Sequence, residues 1–96
     1  MNTYKAPVRD MSFALFDVLQ AEALYARLGI ESAQRDVMDA ALEEAAKFNE
    51  NVLAPLNSVG DREGCTHDKA TGAVKTPTGF KEAYAQFVEG GWAGIT

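Results

Sequence analysis

Apolar residues recur at helical spacing along three stretches of this chain, separated by polar, glycine-containing runs. The middle stretch is the clearest. Val37, Ala41, Ala45, Phe48 and Val52 follow one another at intervals of four, four, three and four, and Met38, Leu42 and Leu53 widen that face. Asp39, Glu43, Lys47 and Glu50 fall on the opposite, solvent side, with Glu43 one turn before Lys47 in the favourable order. Ser32 or Asp36 supplies a side-chain oxygen to cap the start of this helix. Pro55 lacks an amide donor and crowds the preceding turn, so the helix should kink or end there, with one further turn possible over residues 56–59.

Residues 1–9 hold Pro7 and little periodicity, which predicts an extended arm. A helix capped by Asp10 or Ser12 follows and stops at Gly29. Between Phe13 and Ala26 only Asp17, Gln20 and Glu22 are polar. Phe13, Phe16, Leu19 and Ala23 form one stripe, while Leu15, Val18 and Leu24 lie off it, so this helix needs neighbours on more than one side. The third stretch opens with Thr76 as N-cap and Pro77 at the first helical position. Phe80, Tyr84, Phe87 and Val88 then share a face, and Gly90 and Gly91 end the helix. Between the second and third helices, residues 65–67 and 73–75 form the short arms of a hairpin around a turn at residues 68–72. The pattern predicts an all-α fold of three main helices with a short hairpin-like loop. It divides into residues 1–32 (arm and first helix) and residues 33–96 (the remaining helices).

Ninety-six residues make at most one small domain, and 47% apolar residues is ordinary for a globular protein. A net charge of −5 with no basic stripe works against binding nucleic acid or an anionic membrane surface. One cysteine, Cys65, allows no intrachain disulfide, and residues 1–5 carry no signal-peptide pattern, so a reducing cytoplasm is expected. Asp17, Gln20 and Glu22 interrupt the longest apolar stretch, which is therefore no membrane span. Trp92 follows the glycine stop with nothing after it to bury the indole, which predicts a piece of a longer polypeptide.

Candidate chemistry is sparse. Cys65 and His67 lie near Asp61, Glu63 and Asp68, but zinc takes three or four thiolate or imidazole ligands and the chain has no second cysteine or histidine. The run from Asp61 to Thr66 does not match a calcium loop either. As a nucleophile and base, Cys65 and His67 lack a third, orienting group. Gly60, Gly64, Gly72 and Gly79 do not follow a strand and open a helix, as a phosphate cradle requires. Asp39, Glu43, Glu44 and Glu50 form a hydrated face. Phe80, Tyr84 and Phe87, with only Lys81 among them, are expected in the core rather than as a stacking platform. No catalytic, cofactor-binding or metal-binding residue is assigned.

Three blocks resemble a known family. Tyr4-Lys5-Ala6-Pro7-Val8-Arg9-Asp10-Met11, followed by Phe13, is similar to the N-terminal extension of a bacterial branch of the acyl-CoA dehydrogenases. Leu42-Glu43-Glu44-Ala45-Ala46-Lys47-Phe48, Val52-Leu53-Ala54-Pro55-Leu56-Asn57 and Val59-Gly60-Asp61-Arg62-Glu63-Gly64-Cys65 resemble the opening helices of these enzymes. Thr76-Pro77, Gly79-Phe80-Lys81-Glu82-Ala83-Tyr84 and Gly91-Trp92-Ala93-Gly94-Ile95 resemble the next helix and the family's Gly-Trp turn.

The resemblance implies an enzyme that removes two hydrogens across the α,β bond of an acyl-CoA thioester. A glutamate base takes the α proton, a hydride goes to FAD, and an electron-transfer flavoprotein accepts the electrons. It also implies an N-terminal helical domain, a central β domain and a C-terminal helical domain, in dimers or tetramers. The family's catalytic glutamate and most flavin and CoA contacts lie beyond Thr96, so none is carried over and no FAD is expected in this piece alone. The expected partners are the rest of the parent enzyme, or a second copy met through helices 13–28 and 80–92. Acyl-CoA and the flavoprotein are expected partners of the parent, with neither nucleic acid nor membrane. The alternative is a self-contained helical interaction module that self-associates through its apolar first helix and an exposed Trp92, or a remnant that binds the enzyme's subunits.

Overall fold

Helices dominate the computed structural model, which describes residues 4–95. In chain order they are α1 (Val8–Ser12), a π-helical turn π1 (Phe13–Val18), α2 (Ala21–Arg27), α3 (Arg35–Phe48), a second π turn π2 (Asn49–Leu53), α4 (Ala54–Glu63) and α5 (Phe80–Glu89). A two-stranded antiparallel hairpin, β1 (Thr66–His67) and β2 (Val74–Lys75), separates α4 from α5, and a 3₁₀ turn (Trp92–Gly94) follows α5. The chain is thus all-α but for the hairpin. Its contacts divide it into two compact units, one holding residues 4–50 and the other residues 51–95.

In the first unit, helix begins at Val8, ahead of the expected Asp10 or Ser12 cap. Pro7 sets the start, and its carbonyl accepts the Met11 N–H at 3.0 Å. Ser12 does not cap, because its hydroxyl donates to Asp39 Oδ1 at 3.1 Å.

The single first helix expected over residues 13–28 is broken. The Leu19 N–H closes a wide turn on the Ala14 carbonyl at 2.9 Å, and Gln20 then adopts the left-handed conformation, φ 50° and ψ 51°. Burial accounts for the break. Phe16 and Ala21 are both buried, at 7% and 5% exposure, yet five residues apart on one α-helix they would point about 140° away from each other. Leu19 and Val18, flanking the break, stay exposed. Gly29 ends α2 as the sequence predicts, with its N–H on the Ala26 carbonyl (3.2 Å) and that of Ile30 on Tyr25 (2.9 Å).

Helix α3 starts at Arg35 with no side-chain cap from Ser32 or Asp36; the Asp36 carboxylate takes the adjacent Val37 N–H instead. The buried residue of α3 is Ala46, while Val37 and Ala41, expected inside, are exposed. Lys47 pairs with Glu44 at 3.1 Å rather than with Glu43. Asp39 and Glu50, placed on the solvent side by periodicity, are half-buried and engaged. The α1–π1 segment runs antiparallel to α3, since Ala6 meets Glu50, Ser12 meets Asp39 and Phe16 meets Arg35.

In the second unit, Pro55 does not end the helix. It stands in the first turn of α4, where an amide donor is not needed, directly after π2, and α4 continues to Glu63. The hairpin forms where the sequence predicts, with Thr66 opposite Lys75 and His67 opposite Val74. Its turn is held by Asp68 N–H to the Ala73 carbonyl (2.9 Å) and Gly72 N–H to the Asp68 carbonyl (2.7 Å). Helix α5 begins at Phe80 after a left-handed Gly79, not at Thr76-Pro77; Pro77 is buried, and its carbonyl accepts the Phe80 N–H at 3.2 Å. Trp92 is half-buried rather than exposed. Its indole folds back over Gly90, where an added Cβ would come within 2.9 Å of Cδ1 and Nε1.

The left-handed Gln20 yields a stability test. Gln20→Gly relieves its backbone strain and should change unfolding free energy by less than about 0.5 kcal/mol, whereas Ala23→Gly inside α2 should cost about 1 kcal/mol. Urea denaturation of the two variants checks this; equal losses would show that residue 20 is not strained.

Candidate functional site: an apolar groove between α4 and α5

Two glycines allow α4 and the start of α5 to meet closely. At Gly60 an added Cβ would fall 2.7 Å from Cζ of Phe80, so the phenyl ring lies against bare backbone. At Gly79 it would fall 2.8 Å from Cδ2 of Leu56, and this residue also holds φ 88°. Ala83, one turn into α5, is buried at 5% exposure. Around these contacts Leu53, Leu56, Asn57, Phe80, Ala83, Tyr84 and Phe87 line an open groove of ≈ 510 Å³. The Tyr84 and Phe87 rings stack with centroids 6.2 Å apart and planes 25° from parallel.

Phe80 and Tyr84 are therefore not core, and Phe87 is half-buried. Phe80 is 37% exposed and Tyr84 68%, and the buried position in their midst belongs to Ala83. The missed signal is the i, i+3, i+7 spacing of Phe80, Ala83 and Phe87: a methyl admits a closer neighbour than a ring does. Asn57 and the Tyr84 phenol are the polar side chains of the groove, and it contains neither a carboxylate nor an amine. It can hold a flat or aliphatic apolar group. It offers no group to move a proton.

Cys65 and His67 are exposed on and beside β1. Among the described residues no cluster of three or more His, Cys, Asp or Glu side chains could hold a metal ion. Glu63 serves the fold: its Oε2 accepts the Thr78 N–H at 2.7 Å, tying the end of α4 to the approach of α5. That backbone hydrogen bond, then the Thr78 hydroxyl, and more weakly Arg62 and Lys75, hold its pKa below the ordinary value.

No family model matches the sequence. Two characterised proteins do. Over 94 residues, 98% of the chain, it is 39% identical to the 3-methylmercaptopropionyl-CoA dehydrogenase of Ruegeria pomeroyi, and the match covers 16% of that protein. Over 92 residues, 96% of the chain, it is 29% identical to the broad-specificity linear acyl-CoA dehydrogenase of Mycobacterium tuberculosis, covering 15% of it. The chain thus spans about one-sixth of the length of the curated relatives it matches. Its similarity to these two acyl-CoA dehydrogenases runs along nearly all its length, to an extent consistent with an N-terminal fragment of that family.

Two outcomes test this geometry. A carboxylate with a lowered folded-state pKa stabilises fully above its ordinary value, 4.5 for Glu63, and loses that contribution as pH falls through the lowered value. The Glu63 carboxyl carbon, followed by NMR, should titrate below 4.5, and Glu63→Gln should remove this part of the acid sensitivity; a midpoint at or above 4.5 excludes the tie. Gly79→Ala meets both a strained φ and the Leu56 methyl, and should cost about 1–2 kcal/mol or more in chemical denaturation.

Proposed function

We propose that this chain is the N-terminal helical part of an FAD-dependent acyl-CoA dehydrogenase, and that it contributes packing surface rather than reactive groups. The observation that carries this reading is the extent of the match, 98% of the chain against 16% of the Ruegeria enzyme. For the whole enzyme we propose α,β-dehydrogenation of an acyl-CoA thioester, with an electron-transfer flavoprotein as acceptor and the cytoplasm as location. Among the described residues no helix is long and apolar enough to cross a membrane.

The residues present do not fit a flavin dinucleotide. Its pyrophosphate calls for cations or a run of free backbone N–H groups, and the α4–α5 groove has neither a lysine nor an arginine in its lining. The concavity lined by Arg9 and Arg35 also contains Asp17, Asp39 and Glu43, and Arg35 already pairs with Asp39. A second concavity, around Gly29, is lined by Glu22 and Glu31. The reaction is therefore assigned to residues outside this chain. Exposed apolar side chains on each unit, among them Leu19, Leu28 and Tyr84 at 62–68% exposure, support a packing role.

The same exposed side chains favour a second reading, a helical module that pairs with itself. One experiment separates the two. Purified alone and mixed with FAD, the 96-residue chain should show no flavin absorbance after gel filtration. Joined to the polypeptide encoded downstream in its gene, it should bind flavin and support its reduction by an acyl-CoA. Stoichiometric flavin on the chain alone overturns the proposal; a stop codon after Thr96 together with a stable dimer favours the module.

A further inference from the structure

Residues 4–12 are held to the α3–π2 segment through polar groups. Across α1 no side chain is buried, and Tyr4 and Met11 are exposed. Two carboxylates of the opposing helical segment hold the arm at Ala6 and Ser12. Glu50 accepts the Ala6 backbone N–H through Oε2 at 2.9 Å and approaches the Lys5 ammonium through Oε1 at 3.5 Å. Asp39, three turns earlier, accepts the Ser12 hydroxyl through Oδ1 at 3.1 Å and meets Arg35 Nε through Oδ2 at 3.8 Å. Directly after Ser12 the character changes. Phe16 is buried, with the Arg35 guanidinium 4.6 Å above its ring, and the backbone passes from α to π geometry at Phe13.

We infer that residues 4–12 form a releasable clasp, fastened at Glu50 and Asp39, that opens as a unit about the Ser12–Phe13 junction while Phe16 stays seated. Segments held by few buried apolar contacts open at lower free energy than the core around them. Here the arm has polar fasteners and the next turn has the apolar anchor, so the boundary between the two stabilities is sharp. Both fasteners are charge-assisted hydrogen bonds at half-buried carboxylates, which bind firmly when formed and lose strength when water and salt reach them. Ala46, the buried residue of α3, lies between the two fastening positions in the chain. The inference is independent of the family assignment, because it concerns only contacts within residues 4–50.

Native-state hydrogen exchange on the full chain tests it. The Ala6 and Met11 amides should exchange together, at least about tenfold faster than amides in the middle of α3. Asp39→Ala with Glu50→Ala should speed exchange over residues 6–12 by a further tenfold or so, the effect of losing about one charge-assisted hydrogen bond, and leave residues 40–46 unchanged. The wild-type chain in 1 M NaCl should show the same selective change, and this answers the question if the double variant does not fold. Exchange of the arm in step with α3, or equal loosening of both in salt, overturns the clasp.

Discussion

Burial at small residues, alanine above all, is the constraint on which both units depend. Three of the five buried apolar residues among those described are Ala21, Ala46 and Ala83, with Phe16 and Pro77 the other two. A buried methyl contributes only about 0.8 kcal/mol by itself. Its larger effect is to let a neighbouring segment come near enough for longer side chains to touch along their edges. Gly60 under the Phe80 ring and Gly79 under the Leu56 methyl extend the same device to positions where even a Cβ would not fit. The large apolar side chains are left around the contact, not inside it. Phe80, Tyr84 and Phe87 thereby become the walls of a groove.

This geometry explains why the elements were legible from the chain and the core was not. Helical periodicity located α3, the glycine stops located the ends of α2 and α5, and the turn residues at 68–72 located the hairpin. Each is a local signal that neighbouring residues settle among themselves. The break at Gln20, the π turns and the start of α5 at Phe80 escaped because they answer to partners far along the chain: Phe16 to Arg35, Thr78 to Glu63, Gly79 to Leu56. Periodicity also ranks side chains by size and polarity. It placed Val37 inside and Asp39 and Glu50 outside, where contact geometry chose Ala46 for burial and used both carboxylates as fasteners.

The relation to acyl-CoA dehydrogenases came from blocks of residue identity, which periodicity does not contain. The structure gives those blocks a physical sense. Within the Leu42–Cys65 stretch, Pro55 stands in the first turn of α4, Gly60 admits Phe80 and Glu63 anchors Thr78. Ala83 and Tyr84 from the next block complete the groove. Several residues of these blocks thus fix how α4 and α5 approach one another. They prescribe a surface, and the chemistry proposed for the whole enzyme draws on groups found elsewhere.

The indole folded over Gly90 has a consequence for how the two units can be observed. It is the sole tryptophan of the chain and sits at the end of α5, within residues 51–95. Its emission spectrum therefore reports directly on that half. The other half has no tryptophan, and its intrinsic fluorescence comes chiefly from Tyr4 and Tyr25. A single sigmoidal trace recorded through the indole would describe the surroundings of Trp92, and a second probe is needed for residues 4–50.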